Sequence, residues 1–194
     1  MDPQSTYDRI ADHFAATREY AWPEVTTFLE DRTTDRALDI GCGNGRHTEL
    51  LAARARLAVG VDLSRGLLDA AVARARERGF ADATGFVHGD AARLPIATDA
   101  VGLATYVATL HHLSPRAARV ASLSELSRVL RPGGAGLVSV WSTAHDRFDR
   151  ETGFDTTVDW TLPGGETVPR YYHIYDPDEF AADLAASDLV TEDV

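Results

Sequence analysis

The stretch "RALDIGCGNGRHTEL", Arg36 to Leu50, decides the fold of this 194-residue chain. Its first half is a short apolar run that indicates a buried β-strand, and its second half has the apolar spacing of a helix. Between the two halves, Gly41, Gly43 and Gly45 recur at every second position. Because glycine permits a tight turn and the close approach of a ligand, the stretch predicts a strand–turn–helix unit with a binding site at the turn.

Strands and helices alternate on the C-terminal side of this unit. We expect further strands at Leu57–Ser64, near Thr84–His88, within Asp99–Ser114 and at Ala135–Ser142. Ser64 and Ser114 are in position to cap the helices that follow them, with Pro115 in the first turn of the second helix and "RPGG" ending it. The alternation predicts an α/β fold with a doubly wound, mostly parallel sheet in the strand order 3-2-1-4-5.

The last part of the chain has a different pattern. "TVDWTLPGGETVPRYYHIY", Thr157 to Tyr175, alternates apolar and polar residues around a Pro-Gly-Gly turn and predicts a hairpin. Asp176 is the expected cap of a following helix, and Leu189–Val194 is the expected sixth strand. We interpret residues 1–194 as one domain, with a lid at 1–34, a cofactor-binding core at 35–142, and the hairpin, helix and last strand at 143–194.

Composition limits the classes of function. Acidic residues outnumber basic ones 30 to 19, every basic residue is arginine, and the net charge is −11. This surface is typical of a salt-adapted, halophilic protein, although a GC-rich genome alone would explain the arginines, and it argues against nucleic-acid binding through bulk charge. No apolar run reaches the ~20 residues of a membrane span, and no secretion signal is evident, so we expect a cytoplasmic protein that contacts no membrane. A single cysteine, Cys42, excludes a disulfide framework and a multi-cysteine zinc site.

Acidic residues at successive strand ends predict a nucleotide-type cofactor. Asp62 ends the second strand, where its carboxylate can accept hydrogen bonds from two ribose hydroxyls, and Asp90 follows the third strand, where it can accept from an adenine amino group. A dinucleotide fingerprint spaces its last glycines differently and has glycine where Arg46 stands, so an oxidoreductase is disfavoured. Without lysine, the chain also has no phosphate-binding loop of the GKS or GKT kind.

This pattern resembles the class I S-adenosylmethionine-dependent methyltransferases. The resemblance implies a Rossmann-like methyltransferase sheet in which the glycine turn contacts the methionine moiety, the second acid the ribose and the third the adenine. The cofactor-binding residues that we take from it are Asp39, Gly41, Gly43, Asp62, Leu63, Asp90, Ala91 and Tyr7. That fold normally adds a seventh, antiparallel strand, so we expect this chain to be truncated before it or to end differently.

Three segments carry a narrower resemblance: "HFAATREYAWP", "LHHLSPRAARVASLSELSRVLRPGG" and "PRYYHIYDPDEF". Together they resemble the tRNA wobble-uridine carboxymethyl O-methyltransferases, including the methyltransferase domain of the related alkylation-repair homologue. The resemblance implies that the acceptor is the carboxylate of a 5-carboxymethyl-type uridine in a tRNA anticodon loop. It also implies a heterodimer with a small zinc-binding activator protein, which pairs with the edge strand near Thr84–His88.

An ionised carboxylate needs no strong general base. It needs to be held in line with the methyl–sulfur bond, and such positioning can lower the activation barrier by ~7–11 kcal/mol. Arginine binds carboxylates in two places. The acceptor-site candidates are therefore Arg18 and Arg170, with His13, His111, His112 and His173 as hydrogen-bond partners and Tyr171, Tyr172 or Trp22 as the base-stacking ring.

Several alternatives stay open at this point. The opening segment can be a plain cap helix with Phe14 and Trp22 packed on the sheet, and one histidine of the pair can be a buried structural residue. The acceptor can instead be a small carboxylic acid or a quinone precursor. The protein can also be a catalytically inert subunit that binds S-adenosylmethionine.

Overall fold

The computed structural model describes residues 2–192 and confirms the doubly wound sheet. Five parallel strands pair in the order β3-β2-β1-β4-β5. Their bounds are β1 Thr34–Ile40, β2 Ala55–Asp62, β3 Thr84–His88, β4 Val101–Val107 and β5 Leu130–Ser139. Every residue of the interior strand β4, which lies between β1 and β5, is buried, as expected for a parallel strand with helices on both faces.

Within the described residues, six α-helices cover the sheet and its carboxyl edge. They are α1 Pro3–Thr17, α2 Pro23–Leu29, α3 Arg46–Ala52, α4 Arg65–Arg78, α5 Arg116–Val129 and α6 Pro177–Ala185. Because successive strand residues point to opposite faces, Leu38 packs in a core with Leu123 and Leu126 of α5, whereas Ala37 packs with Leu29 of α2. The sheet therefore has an apolar core on each face.

A separate two-stranded sheet confirms the predicted hairpin. Strands β6, Phe154–Thr161, and β7, Thr167–Ile174, pair antiparallel. Gly164 and Gly165 form the turn with φ values of 101° and 89°, a region that glycine enters without steric cost. Ile10 of α1 packs against Trp160 and Val168, so the hairpin and the N-terminal helix support each other above the main sheet.

The N-terminal helix α1 lies against α4. As predicted, Ser64 caps α4, with its hydroxyl accepting from Leu67 N at 3.2 Å. The same hydroxyl donates to Asp8 Oδ1 at 2.6 Å, and Gly66 N donates to that oxygen at 3.1 Å. A Cβ on Gly66 would lie 2.8 Å from the Cβ of Ala11, so the two helices are in close backbone contact. This contact holds α1 beside the carboxyl ends of the strands.

Two local predictions were wrong and a third was right. Ser114 does not cap α5, because Pro115 occupies the cap position and no side chain bonds to the helix end. The helix does end before "RPGG", at Val129; β5 starts at Leu130, and the register shift between Leu130 and Ala135 leaves the "RPGG" residues out of the pairing with β4. Leu189–Glu192 forms no strand, and Val190 is 90% exposed instead of packed on the sheet; Asp193 and Val194 lie outside the described residues.

The prediction for the helix near the end of the chain was right. Asp176 caps α6, with its carboxylate accepting from Glu179 N at 2.8 Å. Among residues 2–192, no helix has the length and apolar character that a membrane crossing requires.

Candidate active site

A cavity of about 370 Å³ lies at the carboxyl ends of the strands, which is where open α/β sheets bind ligands. Its wall combines the glycine turn after β1, the ends of β2 and β3, the loop after β4, the N-terminal segment and strand β7. The cavity therefore joins the region that local motifs predicted with segments that are far away in sequence.

The glycine turn closes one side of the cavity. Gly41, Gly43 and Gly45 have φ values of +67°, +53° and +76°, which favour glycine over any residue with a Cβ. At Gly41 a Cβ would also lie 2.2 Å from Thr109 Oγ1. The backbone N–H of Gly41 donates to Val61 O at 2.8 Å, so the turn is fixed to the neighbouring strand.

Asp62 lies on the cavity wall with its carboxylate fixed by two backbone donors. Oδ2 accepts from Gly43 N and Oδ1 from Ser64 N, each at 2.8 Å. Burial raises the pKa of Asp62. Because a carboxylate has about four acceptor positions, it keeps capacity for a pair of hydroxyl donors. Leu63 and Ala91, both predicted, line the same part of the wall.

Asp90 and Asp39 differ in their placement. Asp90 is exposed on the cavity wall, and its Oδ1 accepts from Ala92 N at 2.8 Å. Asp39 lies beneath the glycine turn, where Thr48 Oγ1 donates to one oxygen at 2.6 Å and Thr105 Oγ1 to the other at 2.8 Å. Burial raises the pKa of Asp39 to about 6. Asp39 therefore supports the turn from below and is not part of the cavity wall.

Strand β7 divides the "RYYH" residues between two faces. Arg170 and Tyr172 line the cavity, as residues two apart on a strand share a face. Arg170 is 7% exposed, and its Nε has no hydrogen-bond partner among the described residues. Its guanidinium lies 4.9 Å from the ring centre of Trp160 and 5.1 Å from that of Tyr172. A buried cation thus faces the cavity without a carboxylate partner in residues 2–192.

The other two residues point away from the cavity. The Tyr171 hydroxyl donates to Asp155 at 2.7 Å. His173 lies between Asp155 and Glu179, with ring nitrogens 2.7 and 2.8 Å from their oxygens. Because side chains alternate along β7, the Tyr171 ring and His173 do not lie with the other acceptor-site candidates at the cavity.

The histidine pair after β4 lines the cavity in neutral form. His112 donates through Nδ1 to Tyr171 O at 2.9 Å, so its Nε2 is the acceptor for the Tyr7 hydroxyl at 2.8 Å. His111 accepts through Nδ1 from Trp141 N at 3.3 Å. Burial lowers the pKa of His112 to about 4 and that of His111 well below its usual value. Neither ring therefore offers a free basic nitrogen.

The N-terminal segment both packs and lines the cavity. Pro3, Tyr7, Phe14, Arg18 and Trp22 all contribute to the wall. Asn44 of the glycine turn donates through Nδ2 to the backbone oxygens of Arg18 at 2.8 Å and Ala15 at 3.3 Å. His13 lies behind this wall, where its Nδ1 accepts from Trp160 Nε1 at 3.1 Å. The N-terminal segment is therefore more than a cap helix packed on the sheet, because several of its side chains form the cavity wall. His13 is different, because its ring packs against Trp160 instead of facing the cavity.

Arg46 and Trp141 are among the wall residues that sequence reasoning did not assign to the site. Arg46 follows the glycine turn, and its guanidinium lies 5.9 Å from the ring centre of Trp22. Trp141 comes two residues after β5. Arg46 follows the turn after the first predicted strand, and Trp141 lies at the carboxyl end of the predicted strand Ala135–Ser142. Both positions were a signal that these residues border the site.

The sequence of this chain is similar to those of known methyltransferases. A family model described as "Methyltransferase domain" matches residues 37–134. A protein of Encephalitozoon cuniculi that is named as a methyltransferase is 35% identical over 177 residues, covering 87% of this chain and 78% of the relative. The tRNA (carboxymethyluridine(34)-5-O)-methyltransferase of Saccharomyces cerevisiae is 31% identical over 172 residues, covering 84% of this chain and 58% of the relative.

Solved structures agree on the fold. The CcbJ methyltransferase from Streptomyces caelestis matches with a TM-score of 0.75 at 19% identity, covering 95% of this chain and 87% of that one. A chain in the complex between the Haloferax volcanii Trm112 methyltransferase activator and a methyltransferase matches with a TM-score of 0.64 at 16% identity, covering 95% and 75%.

The chain belongs to the methyltransferase-domain family, and it is a class I methyltransferase that uses S-adenosylmethionine. The cavity fits this cofactor, because Gly41 and Gly43 of the turn form part of its wall and Asp62 presents an oriented carboxylate beside them. The chain spans less than two thirds of the yeast relative's length.

Proposed function

We propose that this protein methylates the carboxylate of a 5-carboxymethyl-type uridine at the wobble position of a tRNA anticodon. The observation that carries the proposal is Arg170, a buried guanidinium on the cavity wall with an unpaired Nε and no carboxylate partner among residues 2–192. A buried charge is costly unless a ligand or side chain pairs with it. The name of the yeast relative and the three resembling segments support this choice of acceptor.

The acceptor's chemistry agrees with the neutral histidines. When bound, the cofactor supplies a methyl group on a positively charged sulfur. A carboxylate already carries the electron pair that forms the new bond and releases no proton, so His111 and His112 need not act as bases. Arg170 would bind the carboxylate through two parallel hydrogen bonds, and the fixed Tyr7–His112 pair would limit its movement. Arg18, with its guanidinium 5.0 Å from the ring centre of Trp160, is the second candidate for this role.

Aromatic residues beside Arg170 are suited to a nucleobase. Tyr172 and Trp141 line the cavity with their ring centres 5.0 Å apart, and Trp22 lines its other side. Stacking of a base on an aromatic ring contributes ~1–3 kcal/mol. In this proposal Tyr172, and not Tyr171, contacts the uracil, because the Tyr171 ring points away from the cavity.

A net charge of −11 opposes long-range attraction to RNA. Affinity would therefore come from short-range contacts in the cavity, from a partner, or from both. Strand β3, Thr84–His88, pairs only with β2 in the described chain and leaves one edge free, and free edges are sites of strand addition. We propose that a small zinc-binding activator protein pairs there to form a heterodimer in a salt-rich cytoplasm, as the Haloferax complex suggests for a chain of this fold.

Mass spectrometry of tRNA nucleosides from a strain that lacks this gene tests the proposal. We expect the methyl ester of the wobble uridine to disappear and the free 5-carboxymethyl acid to accumulate. The wild-type gene should restore the ester, and a gene encoding Arg170→Gln should not. A nucleoside profile that is unchanged by the deletion would contradict the proposed acceptor.

A further inference from the structure

The cavity wall contains three arginines, Arg18, Arg46 and Arg170. None of them has a carboxylate partner within 4.0 Å among residues 2–192. A single acceptor carboxylate is bound by one guanidinium in two places, so it does not account for all three. The other arginines on the wall therefore need a second anionic group.

The order of the strands assigns positions along the cavity. Asp90 follows β3 and Asp62 ends β2, so the adenosine side of the cofactor lies over these two strands. The glycine turn follows β1, the next strand in the sheet, and Arg46 comes directly after it. Arg170 and Tyr172 instead lie beside the histidine pair that follows β4. Arg46 is thus on the cofactor's side of the cavity, beyond the ribose position, and Arg170 is on the far side.

Packing holds Arg46 and Arg18 close to the turn. Arg46 is stacked near Trp22, and the backbone of Arg18 accepts a hydrogen bond from Asn44 in the turn itself. Burial and, next, the neighbouring charge of Arg18 lower the pKa of Arg46 to about 10. Two like charges in one partly buried wall repel each other, and an anion between them would relieve both the repulsion and the cost of burial.

We propose that Arg46, assisted by Arg18, binds the carboxylate of the cofactor's methionine moiety, which leaves Arg170 to bind the acceptor. The assignment of Arg46 rests on the cofactor alone, whereas the division of labour with Arg170 rests on the proposed function. Arg18 has the lesser part in this assignment, because only its backbone is bonded to the glycine turn, whereas its guanidinium lies 5.0 Å from the ring centre of Trp160, which Arg170 also faces.

Calorimetric titration with two probes tests this assignment without any RNA. S-adenosylhomocysteine carries the amino-acid carboxylate, and 5′-methylthioadenosine has the same adenosine and thioether sulfur without it; the weaker probe is measured by displacement. We expect Arg46→Gln to weaken S-adenosylhomocysteine binding by ~10–100-fold, the range for loss of a hydrogen bond to a charged group, and to leave methylthioadenosine binding unchanged. Arg18→Gln should act in the same direction with a smaller factor.

Two features make the result decisive. The matched control is Arg76→Gln, on the exposed surface of α4, which should leave both affinities unchanged. In addition, if Arg46→Gln still binds methylthioadenosine as the wild type does, the cavity of this variant is correctly folded. If Arg46→Gln leaves S-adenosylhomocysteine affinity unchanged, or weakens both probes by the same factor, the assignment is overturned. Because no acceptor is present, neither result depends on whether tRNA is the substrate.

Discussion

The two ends of the cavity are built in different ways. At the cofactor end, Asp62 and the glycine turn come from one β-turn-α unit and the next strand, and backbone N–H groups fix the carboxylate. At the acceptor end, the N-terminal helix, the loop after β4 and strand β7 bring Tyr7, His112 and Arg170 together across more than half of the chain. Both acidic residues of the described wall, Asp62 and Asp90, are at the cofactor end, and Arg170 is at the acceptor end.

This difference separates recognition of the donor from recognition of the acceptor. The cofactor end presents the carboxylates of Asp62 and Asp90, which suit neutral hydroxyl and amino donors such as those of a ribose and an adenine. The acceptor end is cationic and aromatic, and its histidines are neutral. Changes at one end should therefore affect one ligand and spare the other.

The largest expected effect is on turnover at the acceptor end. Arg170→Gln removes the buried cation, and we expect kcat/KM for methyl transfer to tRNA to fall by ~100-fold or more, because a misplaced acceptor is costly. Tyr171→Phe is the matched control on the opposite face of β7, where it removes only the bond to Asp155, and it should change kcat/KM little. Equal losses in the two variants would mean that the hairpin is structural and not part of the acceptor site.

A change at the cofactor end should affect affinity for the donor. Asp62→Asn removes the charge that accepts from Gly43 N and Ser64 N and from the ribose. We expect the Kd for S-adenosylhomocysteine to rise by ~10–100-fold, since bonds to a charged group contribute ~1.5–3 kcal/mol. Calorimetry provides the measurement, and Arg170→Gln should bind this ligand like the wild type. An unchanged Kd in Asp62→Asn would remove Asp62 from the cofactor site.

Two glycines with similar backbone angles test why the turn has its sequence. Gly41 and Gly79 have φ values of +67° and +77°, but a Cβ on Gly41 meets Thr109 Oγ1 at 2.2 Å, and a Cβ on Gly79 meets nothing within 4 Å. Gly41→Ala should therefore lower the free energy of unfolding by ~1–3 kcal/mol more than Gly79→Ala, the typical cost of overpacking. Denaturant unfolding measures both, and equal losses would show that only the backbone angle matters.

The last effect concerns Asp39 and depends on pH. Burial raises its pKa to about 6, above the ~3.9 of an unfolded chain, so the folded state holds this proton more tightly. Stability from this group is present below pH ~4 and is lost as pH rises to about 6. Asn cannot ionise, so the free energy of unfolding of Asp39→Asn should rise relative to that of the wild type by on the order of 2 kcal/mol between pH 4 and pH 7. A constant difference between the two unfolding curves over this range would contradict the shifted pKa.

Local sequence was sufficient to place Asp62 and Asp90 at the cavity, and it was insufficient to show which residues of β7 face the cavity. Asp62 and Asp90 were placed by the strand that precedes each of them, so the local pattern also fixed their positions in space. Arg170, Tyr171 and His173 are neighbours in sequence, but the alternation along β7 sends the last two to the other side of the hairpin. The period of two was visible in the predicted hairpin, whereas which face meets the cavity depends on packing against α1 and could not be predicted.

The N-terminal segment shows the same limit. Its aromatic and basic residues were recognised as unusual, yet only the structure separates Tyr7 and Arg18, on the cavity wall, from His13, behind Trp160. The contacts that decide this, from Asp8 to the start of α4 and from Asn44 to Arg18, join residues far apart in the chain. No periodicity in the sequence encodes such pairs.

The most direct test of the account uses a synthetic anticodon stem-loop in two forms, with 5-carboxymethyluridine or with plain uridine at the wobble position. Both are incubated with the protein, the proposed activator and S-adenosylmethionine labelled in the methyl group. We predict that label enters only the carboxylate-containing RNA and that mild alkali releases it as methanol, as required for a methyl ester. Equal labelling of the two RNAs, or label that resists alkali, would contradict a carboxylate acceptor bound by Arg170.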